Sequence, residues 1–217
     1  MLKDDQIVWA IHQMEDEIGP VGPSLDSRTP FQYLISVILS AQATDVSVNK
    51  VTPILFEKYP DPQDLMVANV TDVEAIIKSV GLFHNKARNI IKTARIVHEE
   101  LADVVPTDRK GIMALPGAGR KTANVVLSDV FDQPTFAVDT HVSAISKRLH
   151  FVAQNASPLQ VEQKIVGVLP PEELHQAHHT MIEYGRKYSM KLIPDKEVCQ
   201  LIIDCDQLNE ENEAING

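Results

Sequence analysis

Apolar residues recur along this chain at the three- and four-residue spacing of helix faces, not in alternation. Ile7, Ile11, Met14 and Ile18 mark one such face, and Gly19-Pro20 ends the helix they define. Residues 20–29, rich in Pro, Gly and Ser, read as a linker. Thr29 is then placed to cap, and Pro30 to open, the run PFQYLISVILSAQ, so continuously apolar that it predicts a helix buried on most sides. Thr44 can cap DVSVNKVTPILFEKY, which Pro53 should disturb locally. Thr71 with Glu74 makes a capping box for a helix stopping at Gly81, Asn85 can cap KARNIIKTARIVHEEL, and Thr107 begins a short helix into Leu115. Later starts fall at Ser157-Pro158, Pro171 and Pro194-Asp195, the last helix running through Ile203 before an acidic tail that should fray from Asp206. No period-two run with hairpin signals persists, and no long repeat is present, so the fold class is all-α.

Composition narrows this only a little. With 44% hydrophobic and 23% charged residues over 217 positions, the chain is an ordinary globular protein of one large or two small interleaved domains. No charged leader with an apolar core, and no apolar run of membrane-spanning length, occurs, so the expected compartment is the cytoplasm. Two cysteines, Cys199 and Cys205, build no disulfide framework.

Charge changes the picture more. A net charge of −10 argues against a polyanionic partner, yet its distribution argues the other way. Between Lys86 and Lys121 eight basic residues face four acidic ones, whereas the first 26 residues and those from Asp195 onward carry surpluses of five and six acids. One basic face for a polyanion and mixed solvated helix surfaces are both compatible with that segregation.

The chemistry concentrates between Leu115 and Asp139, in LPGAGRKTANVVLSDVFDQPTFAVD. A short helix, the turn Leu115-Pro116-Gly117-Ala118-Gly119 and a second helix from Arg120 form a glycine hairpin. Glycine at 117 and 119 allows positive φ and leaves nothing between the backbone and a ligand, so amides at the second helix's N-terminus can grip a phosphate. Alternatively, the glycines only relieve sterics between two helices. The spacing is not that of a nucleotide P-loop. Taken singly, a lysine near a helix start is solvated, and Asp139 ahead of THVSAISKRL is a natural N-cap.

LPGAGRKTANVVL followed by a Pro-containing loop and AVDTH resembles the helix-hairpin-helix and Gly/Pro-Asp signature of the DNA glycosylase superfamily, in its endonuclease III branch. PFQYLISVILSAQATDVSVNK, VGLFHNKARNIIKTARI and VPTDRK resemble the same branch, so the likeness spans about residue 5 to Arg186. It implies a bilobal all-α fold, with a helical domain over 21–133 and a second over 1–20 plus 134–217, and a site in the cleft between them. The implied activity is that of a bifunctional DNA glycosylase and abasic-site lyase of base excision repair. It would remove oxidised pyrimidines and cut the strand by β-elimination, acting as a monomer on damaged double-stranded DNA. A monofunctional glycosylase and a non-catalytic DNA-binding module are the rival readings.

The resemblance also implies residue roles. Lys121 attacks the sugar C1′ and forms a Schiff base, while Asp139 assists. A free lysine is neutral only about once in 2,500 molecules at pH 7, so the site must favour the amine. Gln42 plugs the gap left by an extruded nucleotide, and Val80 and Leu82 wedge the opposite strand, although the residues alone read as an exposed helix-end amide and ordinary core. Gly117, Ala118, Gly119, Arg120 and His141 complete the implied DNA contacts.

One part of the family pattern is broken. Four cysteines spaced C-x6-C-x2-C-x5-C usually follow the Gly-Arg that matches Gly185-Arg186 and hold a [4Fe-4S] cluster. Here those positions are Ser189, Lys196, Cys199 and Cys205, so no iron-sulfur cluster is expected. His175, His178 and His179 lack a metal-site pattern and are expected to be solvated or capping, with no metal.

Overall fold

The computed structural model describes residues 1–188 and 200–216, and among these it is helical with no strand. They form two compact units: Pro23–Gln133, and Met1–Gly22 together with Pro134–Gly217.

The continuous unit is built around α2 (Pro30–Ser40), in which Phe31 through Leu39 are all buried. Each such Leu or Ile stabilises the fold by roughly 1.5–3 kcal/mol. The Thr29 hydroxyl accepts from the Gln32 amide at 3.2 Å and starts the helix. Around α2 lie α3 (Asp45–Lys58), α4 (Pro62–Met66), α5 (Val70–Ile77), α6 (Phe83–Glu99), α7 (Arg109–Met113) and α8 (Arg120–Phe131), with α3, α6 and α8 packed directly on it. Tyr33 of α2 donates its hydroxyl to the Asp129 carboxylate of α8; burial, then the neighbouring carboxylate, pushes the phenol pKa upward.

Several starts differ from the sequence reading. Asn69, not Thr71, caps α5: its Oδ1 accepts from the Thr71 amide at 2.9 Å and the Thr71 hydroxyl at 2.7 Å. Glu74 is instead turned to His84 at 3.0 Å. Helix α6 begins at Phe83, ahead of Asn85, and Asp108 takes the capping place expected of Thr107. Helix α3 continues through Pro53, because one forfeited ladder bond is outweighed by burial of Val48, Val51, Thr52 and Leu55. Five-residue α4 is too short to leave a periodic signal, and Asp61 caps it.

The other unit contains α1 (Asp4–Ile18), α9 (Thr140–Arg148), α10 (Pro158–Val168), a 3₁₀ turn over Pro171–Glu173, α11 (Leu174–Lys187) and α12 (Gln200–Asn216). Ile7, Ile11, Met14, Phe136, Ile145, Phe151, Met181 and Tyr184 fill its core. The tail expected to fray is the body of α12. Asn212 is 4% exposed, and its amide donates to Gln6 Oε1 at 2.7 Å and to the Met1 carbonyl at 3.3 Å. Asp206 accepts both arms of Arg148, at 2.8 and 3.1 Å, and lies 2.8 Å from His150 Nε2. These polar ties, together with buried Leu201, Ile202 and Cys205, carry the helix past the point where its acidity suggested an end.

Candidate active site

The hairpin between α7 and α8 is held by different contacts at different residues. Asp108 Oδ1 accepts from the Gly111 amide at 2.9 Å and fixes the start of α7, while Arg109 Nε donates to Asn124 Oδ1 at 2.8 Å and ties α7 to α8. Leu115 is buried, the Pro116 carbonyl accepts from the Thr93 hydroxyl at 3.0 Å, and the Ala118 amide donates to the Leu115 carbonyl at 3.1 Å.

Gly117 has φ +82°, and a Cβ there would come within 3.0 Å of Asn89 Nδ2 and 3.1 Å of Ile38 Cγ2. Both the dihedral and the space demand glycine. Gly119 does not need positive φ: at −99° it is extended, and nothing lies within 4 Å of where a Cβ would stand. Its contribution is an open approach to the first turn of α8, at which the N-cap itself offers no side-chain bond.

Arg120 and Lys121 occupy that first turn, Arg120 partly buried and Lys121 exposed. Behind them Thr122 through Ser128 are all buried, so the reactive-type amine stands on an anchored helix. In the other unit Asp139 is the N-cap of α9, its Oδ1 accepting from the amides of His141 and Val142 at 2.8 Å each. Both bonds go to one oxygen, and together they fix the carboxylate's orientation at the start of α9. His141 is partly buried against α11, where a Cβ on Gly185 would meet His141 Cβ at 2.9 Å; its Nδ1 is buried without a hydrogen-bond partner. Glycine at 185 is thus what lets α9 and α11 approach.

Of the residues expected to enter DNA, Gln42 is exposed with φ +55°, and Leu82 is 58% exposed with φ +60°. Left-handed backbone is uncommon outside glycine and an outlier for a bulky side chain. Val80 is only 1% exposed and is core. Lys86, counted among the basic residues that could face a polyanion, is 5% exposed, so it leaves that face; Arg88, Lys92, Arg95 and Lys110 remain on the surface. Its burial had no signal in the sequence, where it falls in an amphipathic helix rich in Lys and Arg.

The three histidines are not solvated as a group: His178 and His179 are 3% and 8% exposed and stack edge-on, with centroids 4.9 Å apart. The face of α11 that they share packs inward. A four-thiolate cluster does not fit the donor set. Cys205 is fully buried in the apolar core of its unit, while Ser189, Lys196 and Cys199 lie outside the described residues and two of those three have no thiol.

The model of the HhH-GPD superfamily base excision DNA repair protein matches residues 35–171. Endonuclease III of Bacillus subtilis (strain 168) is 39% identical over 205 residues, covering 94% of each chain, and that of Escherichia coli (strain K12) is 48% identical over 162 residues, 75% of this chain and 76% of its own. A solved structure of a trapped endonuclease III–DNA covalent intermediate superposes with a TM-score of 0.91 at 42% identity, over 98% of this chain and all of the other. The chain belongs to the endonuclease III family of that superfamily.

Proposed function

We propose that Lys121 is the nucleophile and Asp139 the assisting carboxylate of a base excision repair enzyme that removes oxidised pyrimidines from duplex DNA. As an endonuclease III the protein is a DNA glycosylase and abasic-site lyase. The observation that carries the residue assignment is the exposed amine of Lys121 on the first turn of α8, directly after a hairpin whose Gly117 and Gly119 suit it to gripping a phosphate.

The Lys121 lone pair attacks C1′, the C1′–N bond breaks, and its electrons leave with the base. Asp139, oriented by two backbone amides, accepts a proton from the amine or balances cationic character on the sugar. Opening of the sugar ring gives the imine, which acidifies the C2′ proton; its loss expels the 3′ phosphate and cuts the strand.

Gln42 fills the space vacated by the extruded nucleotide and Leu82 separates the opposite strand, whereas Val80, assigned with it to the wedge, is buried as core. The hairpin residues Gly117 to Arg120 and His141 hold the backbone. The enzyme works as a cytoplasmic monomer, and no described helix is long and apolar enough to cross a membrane. It does so without an iron-sulfur cluster: purified protein should carry less than about 0.1 iron per chain, and stoichiometric iron would refute this.

Lys121→Gln should abolish strand cleavage while leaving the fold intact, and borohydride should trap wild type on an oligonucleotide bearing thymine glycol. Persistent trapping in the variant would end the assignment of Lys121. Trapping on abasic DNA without release of oxidised pyrimidines would reassign the substrate.

A further inference from the structure

The tips that carry Gln42 and Leu82 come from different parts of the sequence, yet they touch. A Cβ on Gly81 would stand 3.6 Å from the Gln42 carbonyl oxygen, so the two backbones are in contact range. Each tip holds a side-chain-bearing residue in the left-handed region. Such conformations are strained for a residue with a side chain and persist only where the surroundings over-determine them.

What lies behind both tips is Lys86. It sits one turn into α6, and its amide donates to the carbonyl of Leu82 at 3.1 Å, so its own backbone closes the first turn after the Leu82 tip. Its side chain runs inward, and the ammonium donates to the carbonyl of Leu39 at 2.9 Å in a buried setting. Leu39 is in the last turn of α2, three residues before Gln42, where carbonyls lack intrahelical partners and the helix carries its negative end. One side chain therefore joins the start of the helix that follows one tip to the end of the helix that precedes the other.

We propose that Lys86 is a positioning residue that locks the Gln42 and Leu82 tips into one mutual arrangement, so that plug and wedge enter the duplex as a single preformed unit. The inference rests on the insertion roles assigned to those two residues. Burial pushes the Lys86 ammonium pKa downward, so the charge is kept there against its own desolvation. An apolar side chain of the same length would fill this space without that cost. Retaining an ammonium is explained by the directional bond it makes to α2. The cation is also inaccessible to phosphate at 5% exposure, which separates its role from that of Arg88 and Lys92 on the same helix.

The test is Lys86→Met, with Lys86→Gln as a second variant should the first fail to fold. Amide hydrogen exchange on free protein should accelerate at residues 40–44 and 80–83 together, by at least tenfold, with the hairpin at 115–121 unchanged. Base release from a damaged duplex should fall about tenfold in kcat, while β-elimination on a single-stranded abasic oligonucleotide, which needs no strand opening, should stay within about twofold. In a background of Gln42→Ala with Leu82→Ala, the Lys86 substitution should have no further effect on duplex turnover. Unchanged exchange at either tip, or equal losses on duplex and single strand, would overturn the proposal. If Gln42→Ala and Leu82→Ala alone leave duplex turnover intact, the insertion roles fail, and the exchange measurement still decides whether Lys86 couples the tips.

Discussion

The continuous unit presents two kinds of tip, and they solve the same backbone problem in opposite ways. The hairpin enters the left-handed region with Gly117, which does so at no steric cost and leaves the backbone bare. The tips at Gln42 and Leu82 enter the same region with full side chains and draw on buried support behind them. Glycine suits a place where the backbone itself must approach a phosphate. A strained leucine or glutamine suits a place where the side chain is the tool, and where it must point away from the fold that holds it.

The largest effect should separate the two hairpin glycines. Gly117→Ala should destabilise the protein by about 2–4 kcal/mol, from forced positive φ together with the contacts to Asn89 and Ile38, and should abolish measurable DNA binding. Gly119→Ala, extended and facing open space, should change stability by no more than about 0.5 kcal/mol yet weaken DNA binding roughly fivefold to tenfold. Denaturant melts and DNA titrations at fixed salt read both; equal destabilisation would erase the distinction drawn between them.

Leu82→Gly attacks the other side of the comparison. Relief of the left-handed strain should leave stability unchanged or raise it by about 1 kcal/mol, because the lost side chain is 58% exposed. Turnover on damaged duplex should nevertheless fall about tenfold. A variant both more stable and fully active would mean that the strain has no use.

The smallest effect serves as a control in the other unit. The Arg148 bonds hold the Asp206 carboxyl below its usual range, so this clamp contributes in full above that range and is lost as pH falls through the depressed folded value, below about pH 4. Asp206→Asn should cost about 1 kcal/mol at pH 7, with the difference from wild type vanishing in acid, and should leave turnover per folded molecule unchanged. A pH-independent difference would show that the clamp acts through packing alone.

Legibility in the sequence followed the range of the interactions. Local devices were readable: the caps at Thr29, Thr44, Ser157 and Asp139, the end of α1 at Gly19, and the glycine hairpin each depend on neighbours within a few positions. Non-local ones were not. Lys86 looks like any helical surface lysine until Leu39, far away in sequence, supplies its carbonyl. The tail after Asp206 looked too acidic to persist as a helix because its stabilising contacts reach back to Arg148, Gln6 and Met1. Val80 and Leu82 are two residues apart and similarly apolar, yet one is core and the other solvent-facing, a difference set by the left-handed turn at Leu82 that no periodicity announces. Most of the site was legible only through resemblance, since a lysine at a helix start and a capping aspartate are individually commonplace.

The tie between Asn212 and the first residues has a consequence for biogenesis. The unit holding Lys121 is one uninterrupted stretch and can condense as soon as it leaves the ribosome. The unit holding Asp139 is stitched from the first residues and those after Pro134, so its first helix must wait, apolar face uncovered, until α10 and α11 are synthesised. During that interval Ile7, Ile11 and Met14 are the surface most in need of a chaperone, and a nascent chain stalled before α10 would carry a finished hairpin and an uncovered amphipathic helix.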